Sequence, residues 1–128
     1  MNNIDLNLLY QKTLEVLKLA AAPASIQLQQ FPEQTCRPDE VALTYDEVIS
    51  NVDLLLEGKL ITTTLRNRLK EVNDFYSTFK MGEDGDWTEQ AMFTSVNWQK
   101  SRQLAENILS EMHIQKTVPN LFWVRFVC

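Results

Sequence analysis

The sequence predicts a mainly α fold, a helical bundle of four to five helices carrying one short two-stranded β ribbon, about residues 25–31 paired with 121–127. Three observations lead there. Apolar residues recur in steps of three and four along most of the chain, the period of a helix face turned toward a core. Glycine is scarce, with three in 128 residues, which argues against a loop-rich all-β fold. At 45% hydrophobic and 23% charged residues, a chain of this length reads as one helical domain over 1–128, able to bury a core without metals or disulfides.

The first helix is expected from about Asn3, as N-cap, to Ala21, with Leu6, Leu9, Leu14, Leu17 and Ala20 as its apolar contacts and Pro23 as its stop. Ile26-Gln27-Leu28-Gln29 then alternates with a period of two, so 24–31 reads as a half-buried strand ended by Pro32. Residues 32–43, with Pro32 and Pro38, read as a surface loop. Thr44-x-x-Glu47 is a capping box that opens the second helix. Val48, Ile49, Val52, Leu55 and Leu56 form its apolar face, and Gly58 is placed for the left-handed C′ position.

A third helix over about Thr62–Lys80 carries Leu65, Leu69, Val72, Tyr76 and Phe79, a packing seam too short for a coiled coil. After Met81–Asp86, a second box, Asp86-x-x-Glu89, opens the fourth helix, which extends to about Met112. Trp87, Ala91, Trp98, Ala105, Ile108, Leu109 and Met112 share a face, but Phe93, Val96 and Leu104 do not. Either this helix is buried on several sides, or it breaks near Ser95 and restarts at Asn97. Residues 118–128 are aromatic and β-branched, read as the second strand of the ribbon, and should be tucked against the body.

Charge is segregated along this framework. Residues 33–57 sum to −6 and 58–80 to +3, within a chain of net charge −5 and pI about 4.8. On the second helix Asp46, Asp53 and Glu57 fall within about 40° of one another at 100° per residue. An acidic surface attracts basic partners and repels phosphate backbones, so nucleic acid is not the expected partner. Arg66, Arg68 and Lys70 read as partners of acidic residues on a neighbouring helix, or as solvated charges.

Catalytic patterns are absent. The one histidine, His113, reads as a cation at a helix C-terminus. An enzyme would need it within hydrogen-bond reach of Cys36, Cys128 or a carboxylate inside a cleft. No glycine-rich phosphate loop occurs, and the count of Cys and His excludes a metal site built from them. Asp84-Gly85-Asp86 imitates part of a calcium loop, yet Gly82, Trp87 and Phe93 then stand where a carboxylate, a glycine and a bidentate Glu are needed. No cofactor is expected.

The first residues lack a basic n-region, Asp5 interrupts any apolar stretch there, and no apolar run approaches the ~20 residues of a membrane span. A cytoplasmic protein with no membrane partner and reduced thiols at Cys36 and Cys128 is expected. Of the three tryptophans, Trp87 and Trp98 read as core, while the faces of Trp123 leave its role open.

These readings converge on a protein-binding module, monomeric when free, that presents Asp39, Glu40, Asp46, Asp53, Glu57, Glu83 and Asp84 to a basic protein partner. Asp86-Trp87-Thr88-Glu89-Gln90-Ala91, followed by Trp98-Gln99-Lys100-Ser101-Arg102-Gln103-Leu104-Ala105, resembles the Trp-Thr…Trp…Arg…Ala helix of small helical bacterial immunity proteins. Some of these are paired with contact-dependent growth inhibition toxins. The likeness covers about residues 44–112. It implies a stand-alone, non-catalytic inhibitor of one cognate toxin, and the acidic surface suits a toxin of nuclease type. It carries over no binding residue, so the seven carboxylates rest on charge alone. The alternative is an adaptor or regulatory subunit that uses the apolar C-terminal segment as a permanent interface.

Overall fold

The computed structural model describes residues 5–125, and there the chain forms α1 (Leu6–Ala21), α2 (Ala24–Gln29), α3 (Arg37–Ile49), α4 (Val52–Glu57), α5 (Thr63–Tyr76), α6 (Glu89–Thr94) and α7 (Val96–Glu111). The four long helices α1, α3, α5 and α7 make a bundle, and three six-residue helices turn the corners between them. The fold is mainly α, as the periodicity predicts.

α1 lies at the centre. Val16, Leu17, Leu19, Ala20 and Ala21 are all buried. Neighbours 100° apart cannot all face one way, so this half of the helix needs cover on several sides. It finds cover in α7 and α3, with smaller contacts to α4 and α2. Its N-cap is Asp5, whose carboxylate accepts the N–H groups of Asn7 and Leu8, while the expected cap Asn3 lies outside the described residues. α5 packs on both α7 and α3, and the buried Tyr45 hydroxyl ties α3 to α5 by donating to the Leu69 carbonyl at 2.7 Å.

The β ribbon is not formed. Residues 24–29 are helical, because Pro23 sets an extended N-cap and Ala24 and Gln27, three apart, turn inward. Gln27 is fully buried, where the alternating pattern would have turned it to solvent. Its amide Nε2 donates to the Leu19 and Ala20 carbonyls at the end of α1, where the Leu19 carbonyl also accepts the Ala22 N–H. With no strand to pair with, 121–125 is irregular, and 126–127 lie outside the described residues. The segment is nevertheless docked on α1. The Asn120 N–H donates to the Glu15 carboxylate at 2.8 Å, Lys12 Nζ sits 5.7 Å from the Trp123 ring centre, and Leu121 and Trp123 pack on the core.

Helix boundaries moved for identifiable reasons. α3 starts at Arg37 within the expected loop, since Pro38 is tolerated in a first turn whose N–H groups have no helical acceptor, and Asp39 and Glu40 suit the positive end of the dipole. Thr44 is therefore buried in mid-helix and caps nothing. The expected continuous second helix breaks at 50–51, where Ser50 and Asn51 side chains both bond back to the Glu47 carbonyl. Gly58 is not left-handed (φ −78°); Lys59 takes that role at φ 63°. Gly58 instead makes room, because a Cβ there would meet Leu6 Cδ1 at 2.6 Å.

The third helix keeps its expected start, capped by Thr62, but ends at Tyr76. The fourth breaks at Ser95, which closes α6 and caps α7, so the second of the two readings holds with the restart at Val96. Asp86 does not cap α6. Thr88 does, while Asp86 is buried and holds the 80–86 loop onto the start of α7.

That loop leaves no space beside Gly85, where an added Cβ would lie 2.3 Å from the Lys80 carbonyl oxygen and 2.7 Å from that of Met81. Gly85→Ala is expected to destabilise the protein by roughly 2 kcal/mol or more, since backbone must shift to admit it. Urea unfolding followed by circular dichroism checks this; an unchanged midpoint would show that the loop yields freely.

Candidate functional site

α3 and α5 run beside one another and the 77–87 connection closes one end of the channel between them, leaving a groove of about 490 Å³. Asp39, Ala42, Leu43 and Asp46 line it from α3, spaced so that one helical face supplies all four. Asn73, Asp74 and Tyr76 line it from α5, and Met81, Gly82 and Trp87 from the connection. The Asn73 amide donates to Asp46 at 2.8 Å across the channel. Three carboxylates thus stand around apolar walls, and no Lys or Arg is among the lining residues.

What holds the connection in place is an aromatic and polar assembly below it. Trp98, fully buried, packs on Phe79 (5.1 Å between ring centres), Tyr76 (5.8 Å) and Trp87 (6.0 Å). Its indole N–H donates to the Asp86 carbonyl at 2.6 Å. The Asp86 carboxylate accepts from the Lys80 N–H (2.7 Å), the Asn97 amide (2.8 Å) and the Ser95 hydroxyl. Burial pushes the Asp86 pKa up, but these hydrogen bonds together outweigh it and hold the carboxyl below its ordinary range.

The seven expected partner-binding carboxylates stand in different settings. Asp39 and Asp46 line the groove, and Asp84 lines a second, more polar cavity of about 430 Å³ beside Asp86, Ser95 and Asn97. Glu40, Glu57 and Glu83 line neither. The proposed stripe of Asp46, Asp53 and Glu57 is divided by the break at 50–51, so no single helix presents it. Asp53 is engaged within the chain. It accepts from Arg66 (2.7 Å) and Lys70 (3.2 Å), which lower its pKa in that order of effect.

Arg68 pairs with Glu111, so all three basic residues of α5 are paired within the fold, as one of their two expected readings has it. Asp39, Glu40, Asp46 and Asp74 are in no ion pair among the described residues.

Asp74, Leu43 and Met81 were not legible as site residues. Asp74 was hidden in a segment of net positive charge, and Leu43 in a stretch read as loop. The Asp-Glu pair after Pro38 was the signal that could have moved Leu43 onto a helix. His113, exposed at φ 58°, lines neither cavity. Cys36 is an exposed free thiol whose pKa is raised by desolvation and then by Asp39, which keeps it protonated; Cys128 lies outside the described residues. No group of three or more His, Cys, Asp or Glu side chains suited to a metal occurs among the described residues. No helix among them is long and apolar enough to cross a membrane. Comparison with protein families, curated proteins and solved structures found no match.

Proposed function

We propose that this chain is a cytosolic, non-catalytic inhibitor of the immunity-protein kind, which binds and neutralises a cognate bacterial toxin of nuclease type through its acidic surface. The observation that carries the reading is the α3–α5 groove, where Asp39, Asp46 and Asp74 are left without a basic partner while Asp53 is neutralised. A nuclease must hold phosphates on a basic surface, and charge-complementary partners associate faster and more selectively.

The test starts from the DNA flanking the gene. A toxin reading frame beside it supplies the partner, whose last domain is purified and titrated with this protein in a nuclease assay. Full inhibition by the natural chain is expected. Replacing Asp39, Asp46 and Asp74 together by Lys is expected to weaken it at least ~100-fold at low salt, with the loss shrinking as salt rises. A neighbourhood without a toxin frame, or undiminished inhibition by the triple variant, refutes the corresponding part of the reading.

The adaptor reading is favoured by one observation, the exposure of Val118 (63%) and Phe122 (48%) on the docked C-terminal segment. It requires an obligate oligomer, which light scattering on the purified protein distinguishes from the monomer expected of an inhibitor.

A further inference from the structure

The groove has features that a purely electrostatic contact does not call for. Met81 stands 82% exposed at its lip and Leu43 is 53% exposed on its α3 wall. Met81 is not on a slack segment: the Asp86 N–H donates to the Lys80 carbonyl (2.8 Å), the Gly85 N–H donates to that of Gly82 (3.0 Å), and the Asp86 carboxylate clamps the Lys80 N–H. A large apolar side chain held in water by a closed loop leaves hydrophobic free energy that covering it would recover. Methionine in particular adapts to the shape of what covers it. On the rim of the same groove stand the carboxylates of Asp39, Asp46 and Asp74, with no cation lining it.

From this we infer that the groove takes a protein segment presenting large aliphatic side chains flanked by Lys or Arg, a deepening that rests on the binding reading above. The aliphatic group lies on Leu43, Met81 and Trp87, and the flanking cations reach Asp39, Asp46 and Asp74. Lys and Arg suit the place because their stems are apolar and can follow the wall while the charged head reaches the rim. A phosphate-bearing ligand is repelled by the same carboxylates, and a neutral ligand leaves them unanswered. Binding therefore has two separable parts, one sensitive to salt and one not.

The experiment is calorimetric titration of the full chain with a synthetic amphipathic peptide of Leu and Lys, ~15 residues long so that it can form a helix. Two controls replace Lys by Glu, or Leu by Ser. The Leu/Lys peptide is expected to bind saturably, the Glu peptide not at all, and the Ser peptide roughly tenfold more weakly or worse.

In the protein, Leu43→Ser with Met81→Ser lowers affinity about tenfold at low and high salt alike. Asp39→Asn, Asp46→Asn and Asp74→Asn together lower it mainly at low salt. All five positions are at least partly exposed, so the variants are expected to fold, and circular dichroism verifies that. If the Leu/Lys peptide binds but both groove variants take it as the natural chain does, the groove assignment is overturned and the basic-partner reading stands. If Lys and Glu peptides bind alike, or neither binds, the groove assignment and its electrostatic premise both fall.

Discussion

Trp98→Ala is expected to cost about 3–5 kcal/mol of stability, the range for removing a large buried aromatic. The indole is fully buried and touches Tyr76 at the end of α5 and Phe79 and Trp87 from the connection that follows it. Its removal leaves a cavity that α5 and α7 cannot close without moving. It also frees the Asp86 carbonyl, which has the indole N–H at 2.6 Å. Trp98→Phe separates the two parts, because it keeps most of the volume and loses the hydrogen bond. It is expected to cost about 1–2 kcal/mol. Urea unfolding followed by far-ultraviolet circular dichroism, which does not depend on the lost fluorophore, checks both. A Trp98→Ala protein as stable as its parent would mean that the aromatic cluster is not the support of the 77–87 connection.

The second large effect is expected at Asp86. Asp86→Ala removes the acceptor for the Lys80 N–H, the Asn97 amide and the Ser95 hydroxyl at once, with an expected cost of about 3 kcal/mol. The charge adds a pH dependence with a definite sign. The folded-state pKa lies below the unfolded one, so the folded protein holds its proton less tightly than the unfolded chain. The stabilisation is complete above the unfolded carboxyl value of about 3.9 and is lost as pH falls from there through the lower folded value. Asp86→Asn keeps the shape and abolishes this contribution, so its stability should fall less steeply on acidification. Asp53 and Glu89 are shifted in the same direction, by Arg66 with Lys70 and by Arg37, so part of the acid sensitivity remains. Denaturant midpoints of parent and Asp86→Asn between pH 7 and pH 3 measure the difference, and parallel curves would show that Asp86 is not held ionised.

The helical bundle was legible because long helices repeat their apolar period often enough to be unmistakable. Leu69, Val72, Tyr76 and Phe79 are buried as their spacing requires, and Val48, Ile49, Val52 and Leu55 keep a common buried set even across the break at 50–51. Short segments failed for the opposite reason. Six residues such as 24–29 hold too few repeats to separate a period of two from one of 3.6, and the deciding fact, that Gln27 turns inward and donates to the end of α1, is a tertiary one.

The two expected capping boxes misled for different reasons. Thr44 lies inside α3, and the Asp86 carboxylate is committed to three donors, the Lys80 N–H before α6 and Ser95 and Asn97 after it. The site was half legible. The acidity of 33–57 is plain in the sequence, but which carboxylates stay free depends on where Arg66 and Lys70 reach, and the apolar half of the groove depends on Leu43 and Met81 meeting across the fold.

The central place of α1 has a consequence for how the chain comes into being. Among the described helices α1 leaves the ribosome first, and its most extensive partner, α7, leaves last. Joining the two closes most of the chain into a single loop, an entropic cost that must be met before their contact rewards it. Until Val96–Glu111 has been synthesised, the run from Val16 to Ala21 has no full cover and waits in water as an apolar surface. A nascent chain stalled before Val96 would therefore be a client for a holding chaperone, and the completed chain is released from that dependence when α7 docks.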